Sequence, residues 1–444
     1  MSNNINNKKD KYTVAFTTLG CKVNQFETEA MTELLEREGF KVTTNGESSD
    51  IYIINTCAVT KESERKSRQF INRAKRINPN ALVVAVGCSV QLNSDKLNEE
   101  TQVDIVIGTK NKGNIAKIIK EKLNNNQINI YIDKFKGSEK FEELKISTVH
   151  DKTRANIKIQ DGCSQFCTYC IIPYVRGPIR SRNHDDIIEE VKRIASNGYK
   201  EIVINGIHIS SYGAEEKDKD ALIKRIEDID KRNGIERIRL GSLEPGIVTE
   251  DFARRISLTK KACHHFHLSL QSGSDSVLNR MNRRYTSSEY KKGVEILRKY
   301  MIDSGITTDI IVGFPGETDE EFEETCSFVK AIGFSRIHVF KYSVREGTKA
   351  AAMPDQISDK IKDFRSKVLI ELGEMLSTDF MNKYIGRAIS VLVESEKGEN
   401  LYEGYSSNYL KVMIKSNSDI KNMIVDINII KVCNEYLFGE YNIS

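Results

Sequence analysis

The run Gln160-Asp-Gly-Cys163-Ser-Gln-Phe-Cys167-Thr-Tyr-Cys170 sets three cysteines at C-x3-C-x2-C spacing. Three thiolates this close can hold three irons of a [4Fe–4S] cluster and leave the fourth iron without a protein ligand, whereas complete ferredoxin-type ligation uses four cysteines. An open metal position marks a catalytic site more often than a structural one. The run therefore points to a cluster that binds a substrate or cofactor directly. The chain has 9 cysteines in 444 residues, and chance alone would produce this spacing only ~0.004 times in a chain of that composition. The competing reading is a structural zinc site, which needs a fourth Cys or His close by. The nearest downstream is His184.

Around this run, strand and helix patterns alternate. Strands are predicted at Ala155–Ile159, Glu201–Ile204, Arg237–Leu240, Phe266–Leu270, Thr308–Val312 and Arg336–Phe340, with helices between them. In one helix Ile187, Ile188, Val191, Ile194 and Ala195 recur at helical spacing. Another opens on the capping box Thr318-x-x-Glu321 and lines Phe322, Thr325, Val329 and Ile332 along its inner face. Six βα units over residues 154–378 suit a partial TIM-like (β/α)6 barrel. Chemistry in such barrels sits at the carboxyl ends of the strands, and Cys163–Cys170 follows the first strand at that end.

Upstream, residues 12–124 read as a doubly wound parallel sheet. The buried runs Val14–Phe16, Ile51–Ile54, Leu82–Val86 and Ile105–Ile107 are typical of parallel strands. A helix is predicted over 24–38, with Phe26, Ala30 and Leu34 on one face and Gly39 just past its end. Three further cysteines, Cys21, Cys57 and Cys88, each directly follow one of the first three strands. In a doubly wound sheet such loops converge at the carboxyl edge, where ligands bind, so these thiols suit a second cluster with an open iron. The alternative is three buried cysteines acting as small hydrophobes.

Residues 1–11 read as a disordered tail. Residues 125–153 read as a connector with one strand at Ile128–Ile132. Residues 381–444 read as a small β-barrel of the OB-like kind that often binds single-stranded nucleic acid, with strands expected at Ile389–Glu394, Tyr409–Ile414 and Met423–Ile430. That tail holds seven Lys/Arg against eight Asp/Glu, an unexpected balance for an RNA-binding barrel. A local patch of Tyr409, Lys411 and Lys415 is one way it could still bind.

Hydrophobic residues make up 39% of the chain, charged residues 29%, and net charge is +4, values of an ordinary soluble protein. The polar start MSNNINNKKDK has no apolar core of a signal peptide, and no stretch is apolar enough to span a membrane. A cytoplasmic protein is expected, in which cysteines serve metal ligation rather than disulfides.

The six cysteines in their contexts resemble the radical S-adenosylmethionine methylthiotransferases. The pieces that carry the resemblance are Thr18-Leu-Gly-Cys-Lys-Val-Asn24, Ile54-Asn-Thr-Cys57, Val86-Gly-Cys88, the Cys163 run, Pro173-Tyr-Val-Arg-Gly177, Leu270-Gln-Ser-Gly-Ser-Asp275, Val312-Gly-Phe-Pro-Gly-Glu317 and Tyr342-Ser-x-Arg-x-Gly-Thr348. The resemblance implies an N-terminal cluster domain, a radical barrel and a C-terminal TRAM β-barrel. It implies two [4Fe–4S] clusters and S-adenosylmethionine, with the Cys163/Cys167/Cys170 cluster generating a 5′-deoxyadenosyl radical and the Cys21/Cys57/Cys88 cluster carrying sulfur. It further implies that Tyr169, Asn205, Gly206, Gln271 and Gly313 bind S-adenosylmethionine; Gly206 and Gly313 also fit as plain turn residues. The form Leu19–Thr28 is similar to the branch that methylthiolates C2 of N6-threonylcarbamoyladenosine in the tRNA anticodon stem-loop. Other branches act on isopentenyladenosine or on a ribosomal-protein Asp. The electron donor expected is of the flavodoxin or ferredoxin type.

The threonyl arm of that base carries a carboxylate, and Arg176, Arg180, Arg182 and Arg345 are candidate partners because arginine pairs carboxylates bidentately; each also reads as part of a solvated basic loop. Cys263-His264-His265-x-His267 looks like a metal tract, but alternation on a strand makes His265 and His267 lining residues of a barrel. The basic helix Lys61–Arg76 reads as a solvated face before it reads as a phosphate contact. Cys326, beside an apolar stripe, is expected in the core. A non-catalytic iron–sulfur RNA-binding sensor is the alternative of another class, but a sensor needs neither an open iron nor a barrel.

Overall fold

The computed structural model describes residues 12–43, 48–94, 97, 99, 101–124, 129–147 and 153–441. The expected tail 1–11 and parts of the expected connector lie outside these. The chain forms two compact units, residues 1–146 with 171–177, and residues 147–170 with 178–444.

In the first unit six strands make one sheet: β1 (Thr13–Thr18), β2 (Lys41–Thr43), β3 (Ile51–Thr56), β4 (Leu82–Gly87), β5 (Ile105–Ile107) and β6 (Asn129–Tyr131). Their order is β2-β1-β3-β4-β5-β6 and every pairing is parallel. Alternate residues of each strand feed the two faces. Val14, Ile53, Val84 and Ile105 pack with Met31 and Leu35 of helix α1 (Lys22–Arg37) and with Ile115 and Ile119 of a later helix. Ala15, Tyr52, Ile54, Val83 and Ala85 pack with Ile71 and Ala74 of α2 (Lys61–Ile77). Burial on both faces is why these strands read as unbroken apolar runs. Helix α1 ends as expected: Gly39 adopts φ +92°, its N–H reaches Glu36 O at 3.0 Å, and the Phe40 N–H reaches Leu35 O at 3.0 Å. This is a Schellman cap, for which a left-handed glycine is the natural residue. Strand β2 escapes sequence reading because it is three partly exposed edge residues. The chain reverses its winding between β1 and β3, and in such sheets ligands bind beyond the carboxyl ends at that reversal. Further helices of this unit include α3 (Cys88–Leu92), α4 (Ile115–Asn124) and α5 (Ile172–Arg176).

The second unit contains β7 (Arg154–Asp161), β8 (Arg180–Ser181), β9 (Glu201–Gly206), β10 (Arg237–Leu240), β11 (Ser242–Leu243), β12 (His265–Leu268), β13 (Gly305–Val312) and β14 (Arg336–Lys341). Strands β10, β9 and β7 pair in parallel, as do β11, β12, β13 and β14. A parallel bridge from Ile238 to Ala262 joins the two sets. The result is the expected open (β/α) barrel, with β8 paired antiparallel to the end of β7. The capping box at Thr318 and Glu321 forms, and Phe322, Thr325, Val329 and Ile332 are buried. Cys326 is only half-buried, one position off that stripe.

Past a 24-residue helix, Asp359–Asn382, five strands close a small barrel in the order β15-β16-β17-β19-β18: β15 (Ala388–Gly398), β16 (Leu401–Ser406), β17 (Lys411–Lys415), β18 (Ile424–Cys433) and β19 (Tyr436–Glu440). Its 405–409 tip docks on the amino-terminal ends of the large barrel's strands. Arg237, first in β10, donates to Tyr405 O at 2.9 Å, and Arg239 donates to Ser407 O at 3.0 Å. Arg154, first in β7, pairs with Glu394 at 2.6 Å. The Tyr409 ring, at φ +70°, meets the Arg239 guanidinium at 4.6 Å, that of Arg154 at 5.4 Å and the His265 ring at 4.7 Å. Gly305 is needed at the contact, since a Cβ there would lie 2.4 Å from Asn408 O.

This docking takes Tyr409 out of the expected Tyr409/Lys411/Lys415 nucleic-acid patch, while Lys415 stays exposed. Tyr409 is engaged by the larger barrel, and Lys411 is tied to Glu403 at 2.8 Å. It also accounts for part of the tail's acidity, because Glu394 answers an arginine of the larger barrel. Glu201 lies at the centre, fully buried and bonded through both oxygens to Arg239 at 2.7 and 3.1 Å. Burial pushes its carboxyl up, but Arg239, Arg154 and Arg237 outweigh this and hold it below the usual carboxylate range.

Glu201→Gln should lower unfolding free energy by about 3–5 kcal/mol, as expected when one partner of a buried pair is removed. Glu403→Gln, whose pair is more exposed, should cost under about 1 kcal/mol; urea denaturation at neutral pH compares them. Because the folded Glu201 carboxyl is depressed, its contribution is intact at neutral pH and is lost as pH falls below the ordinary glutamate range.

Candidate metal centres

The Cys163–Cys170 run leaves the carboxyl end of β7 through a strained turn. Gly162 has φ +73° and Phe166 φ +52°, a left-handed geometry that costs a non-glycine residue roughly 1–2 kcal/mol. The loop is held by hydrogen bonds to other elements: Thr168 N–H to Met281 O at 3.0 Å, Thr168 Oγ1 to Arg280 O at 2.9 Å, and Ala350 N–H to Thr168 O at 2.9 Å. The Gln165 N–H points at Cys163 Sγ at 3.5 Å. Arg283 donates to Cys167 Sγ at 3.2 Å and to Glu244 at 2.8 Å, and Glu244 contacts His208 at 3.3 Å. Burial pushes the Cys163 thiol up. At Glu244 burial also pushes up, but His208 and Arg283 prevail and keep it ionised. Nothing in the spacing of Arg283 and Glu244 marks them in the sequence.

The second triplet gathers where the winding of the parallel sheet suggests. Cys21 caps α1 after β1, Cys57 follows β3, and Cys88 opens α3 after β4. Glycines permit the approach. Gly20 has φ +99°, and a Cβ there would lie 2.8 Å from Cys57 Sγ; Gly87 has φ +103°. Asn24 ties the loops together, donating to Leu19 O at 2.7 Å and Thr56 O at 3.0 Å. Burial pushes the Cys57 thiol up to about 11, against a Val59 N–H directed at its sulfur at 3.4 Å, with Cys88 and Cys21 raising it further. Cys88 is likewise raised by burial, while Arg176 and Lys112 pull it down.

Arg176 is the clearest departure from expectation. Expected as a partner of a substrate carboxylate, it is fully buried in the first unit, where its carboxylate partner is Glu27 at 2.9 and 3.1 Å; its Nε lies 3.2 Å from Cys88 Sγ. Arg182 is also buried, paired with Glu190, so a structural ion pair takes the place of the expected substrate contact. Arg180 lies 3.7 Å from Asp161 and donates to Pro178 O at 2.8 Å. Arg345 is buried after β14.

The residues expected at S-adenosylmethionine lie at the carboxyl ends of the barrel strands, apart from Tyr169 in the cysteine loop. Tyr169 packs with Val277, Met281, Phe314 and Tyr342, an apolar bed suited to a flat base. The Tyr342 hydroxyl is buried with no hydrogen-bond partner among the described residues, which fits a bound polar ligand. Asn205 is buried, with its amide on Asn156 at 2.7 Å. Gly206 has Gln160 within 2.9 Å of where a Cβ would stand, and Gly313, at φ +69°, has the Lys362 stem at 2.3 Å, so packing alone explains both glycines. Gln271 holds φ +71° and bridges to Ile310. His265 and His267 both contact Thr307 Oγ1, at 2.9 and 3.0 Å, and so share a face as expected. Among the described residues, no three His, Cys, Asp or Glu side chains gather as a single metal ion requires. The basic face of α2 is largely solvated, with Arg65 on Glu62 at 2.6 Å.

The chain matches the Radical SAM superfamily over residues 157–329 and the Uncharacterized protein family UPF0004 over residues 13–108. It is 38% identical over 434 residues to the Threonylcarbamoyladenosine tRNA methylthiotransferase MtaB of Bacillus subtilis (strain 168), covering 97% of this chain and 96% of that one. The chain belongs to the radical S-adenosylmethionine methylthiotransferases, MtaB type. A tRNA-2-methylthio-N(6)-dimethylallyladenosine synthase of Pelotomaculum thermopropionicum (strain DSM 13744 / JCM 10971 / SI) is 34% identical, covering 92% of this chain and 93% of that one. The radical S-adenosylmethionine methyltransferase TsrM of Kitasatospora setae, solved with cobalamin and a [4Fe–4S] cluster bound, shares the fold at TM-score 0.57 and 14% identity, over 77% of this chain and 74% of that one.

For a methylthiotransferase, both donor sets fit iron–sulfur chemistry: each is three thiols with N–H groups aimed at sulfur, a feature through which proteins tune such clusters. Gly20→Ala should press on Cys57 Sγ as well as strain the turn. The reconstituted variant should lose about half of its iron, close to the loss of Cys57→Ala, as measured by iron and sulfide assay against roughly eight irons for two [4Fe–4S] clusters.

Proposed function

We propose that this methylthiotransferase modifies tRNA, adding a methylthio group to C2 of N6-threonylcarbamoyladenosine beside the anticodon. The observation that carries the reading is 38% identity across nearly the whole of the Bacillus subtilis relative, with six cysteines in two triplets at two sets of strand ends. On this reading Cys163, Cys167 and Cys170 would hold a [4Fe–4S] cluster that leaves one iron open to S-adenosylmethionine. That pair, when bound, supplies reductive cleavage of the sulfonium. The chain's own part is placement: Tyr169 and its apolar neighbours bed the adenine, Arg283 steadies Cys167, and Glu244 fixes Arg283. Cys21, Cys57 and Cys88 would hold the second cluster, which carries sulfur.

A base is accessible to such chemistry only outside a stack, and an anticodon loop presents one at least cost. Of the four arginines expected at the threonyl carboxylate, Arg176 and Arg182 are fully buried in ion pairs with Glu27 and Glu190, and Arg180 faces Asp161 at 3.7 Å. A flavodoxin- or ferredoxin-type protein would supply electrons, and the cytoplasm, where tRNA resides, is the expected location. Among the described residues no helix is long and apolar enough to cross a membrane. The second reading, an isopentenyladenosine-type substrate, is favoured by relatives of that other name at 34% and 37% identity, over 92% and 85% of this chain.

Nucleoside mass spectrometry of tRNA from a deletion strain decides between the two. Loss of 2-methylthio-N6-threonylcarbamoyladenosine, restored by the gene, is the expected outcome; loss of the isopentenyl product instead would reverse the assignment. In vitro, Cys21→Ala should retain S-adenosylmethionine cleavage and yield no methylthio product, and full product would end the two-cluster reading.

A further inference from the structure

Both cysteine triplets share one device. At each, a buried guanidinium directs an N–H at one cysteine sulfur at 3.2 Å while another of its nitrogens holds a glutamate: Arg283 with Glu244 at Cys167, and Arg176 with Glu27 at Cys88. The second is the more elaborate. Arg176 Nη1 and Nη2 both contact Glu27, and Nη2 also reaches Asn24 Oδ1 at 3.0 Å. Asn24 in turn holds the loops of Cys21 and Cys57. Lys112 pairs with Glu27 from the opposite element, and Lys112, Glu27 and Arg176 are each at most 1% exposed. Such burial is costly unless the groups answer one another, so a change at Arg176 disturbs the whole set. Its aliphatic neighbours Ile171 and Val175 pack with Ala58 and Cys88, and Thr109 Oγ1 donates to Val175 O at 2.8 Å, which seats α5.

We propose that Arg176, braced by Glu27 and Lys112, is a positioning residue for the sulfur-carrying centre: it fixes where Cys88 Sγ points and donates an N–H to that sulfur when the cluster is bound. The inference rests on the reading of Cys21, Cys57 and Cys88 as a cluster site. A hydrogen bond to a ligand sulfur favours the reduced, more negative cluster, so its removal moves the potential down. The sequence placement adds an economy. Arg176 stands six residues after Cys170, so a single run supplies both a cysteine of the radical centre and the clamp on a cysteine of the other.

The test uses the full chain carrying Cys163→Ala, Cys167→Ala and Cys170→Ala, so that the second triplet alone can be loaded. Iron and sulfide are counted after anaerobic reconstitution, and the potential is read by redox titration followed by electron paramagnetic resonance. Arg176→Gln should load less iron when iron is limiting, and what loads should titrate at a more negative potential; Arg176→Lys should recover part of both. Should Arg176→Gln fail to unfold cooperatively, Arg176→Lys is decisive on its own, with a potential below that of the parent. Unchanged iron and potential in the folded variants would overturn the proposal, as would iron loss with no change of potential. A parent that loads no iron would overturn the cluster reading itself, and this proposal with it.

Discussion

Thiolates that share a metal cluster repel one another, so a fold that is to receive one must hold its cysteines together before iron contributes anything. Both units meet this demand with the carboxyl ends of parallel strands. In the first unit strand pairing brings successive loops to one edge, with Cys21, Cys57 and Cys88 one to three residues beyond it; in the second all three cysteines lie in the single loop after β7. Two local means complete the approach. Left-handed glycines let the loops of Cys21, Cys57 and Cys88 come closer than any side chain would allow, and buried guanidinium groups offset the charge the sulfurs develop. The left-handed Phe166, at φ +52°, shows the same demand at the other triplet. Strain of this kind persists only where the surroundings over-determine it, and here the hydrogen bonds of Thr168 to two other elements do so.

What the sequence reveals follows from how local each signal is. The apolar runs at Val14–Phe16, Ile51–Ile54 and Leu82–Val86 announce their strands because both faces are buried, and a cysteine directly after each locates the edge. The Gly39 cap and the Thr318 box are equally local and equally visible. Strand β2 is invisible because its three residues are a partly exposed edge. Arg283, Glu244, Glu27 and Lys112 are invisible for another reason: they matter through partners 36 to 149 positions away, as in the bonds of His208 to Glu244 and of Glu27 to Arg176. Arg176 shows the limit in reverse. Its motif is visible in the sequence, but the identity of its partner carboxylate is a property of the folded chain.

The small C-terminal barrel illustrates a similar shift of meaning. Read as sequence, an aromatic residue beside lysines suggests a nucleic-acid surface. In the fold, Tyr409 is enclosed by Arg154, Arg239 and His265, and the small barrel closes the amino-terminal end of the large one. The carboxyl end, where the cysteine loop lies, is left as the end free for chemistry. A barrel built in this way separates its stability, concentrated around Glu201, from its reacting loops, as TIM-type folds generally do.

The first unit is not one stretch of chain: it is completed by residues 171–177. During synthesis, domains tend to fold in the order they emerge. Here the parallel sheet is finished early, yet Glu27, already met by Lys112, waits for Arg176 until the first strand of the next unit has left the ribosome. A gene fragment ending at residue 146 would encode every strand of the sheet without the arginine that answers its buried glutamate. The unit is therefore poorly suited to shuffling as a separate module, and its history is tied to that of the barrel whose sequence it borrows.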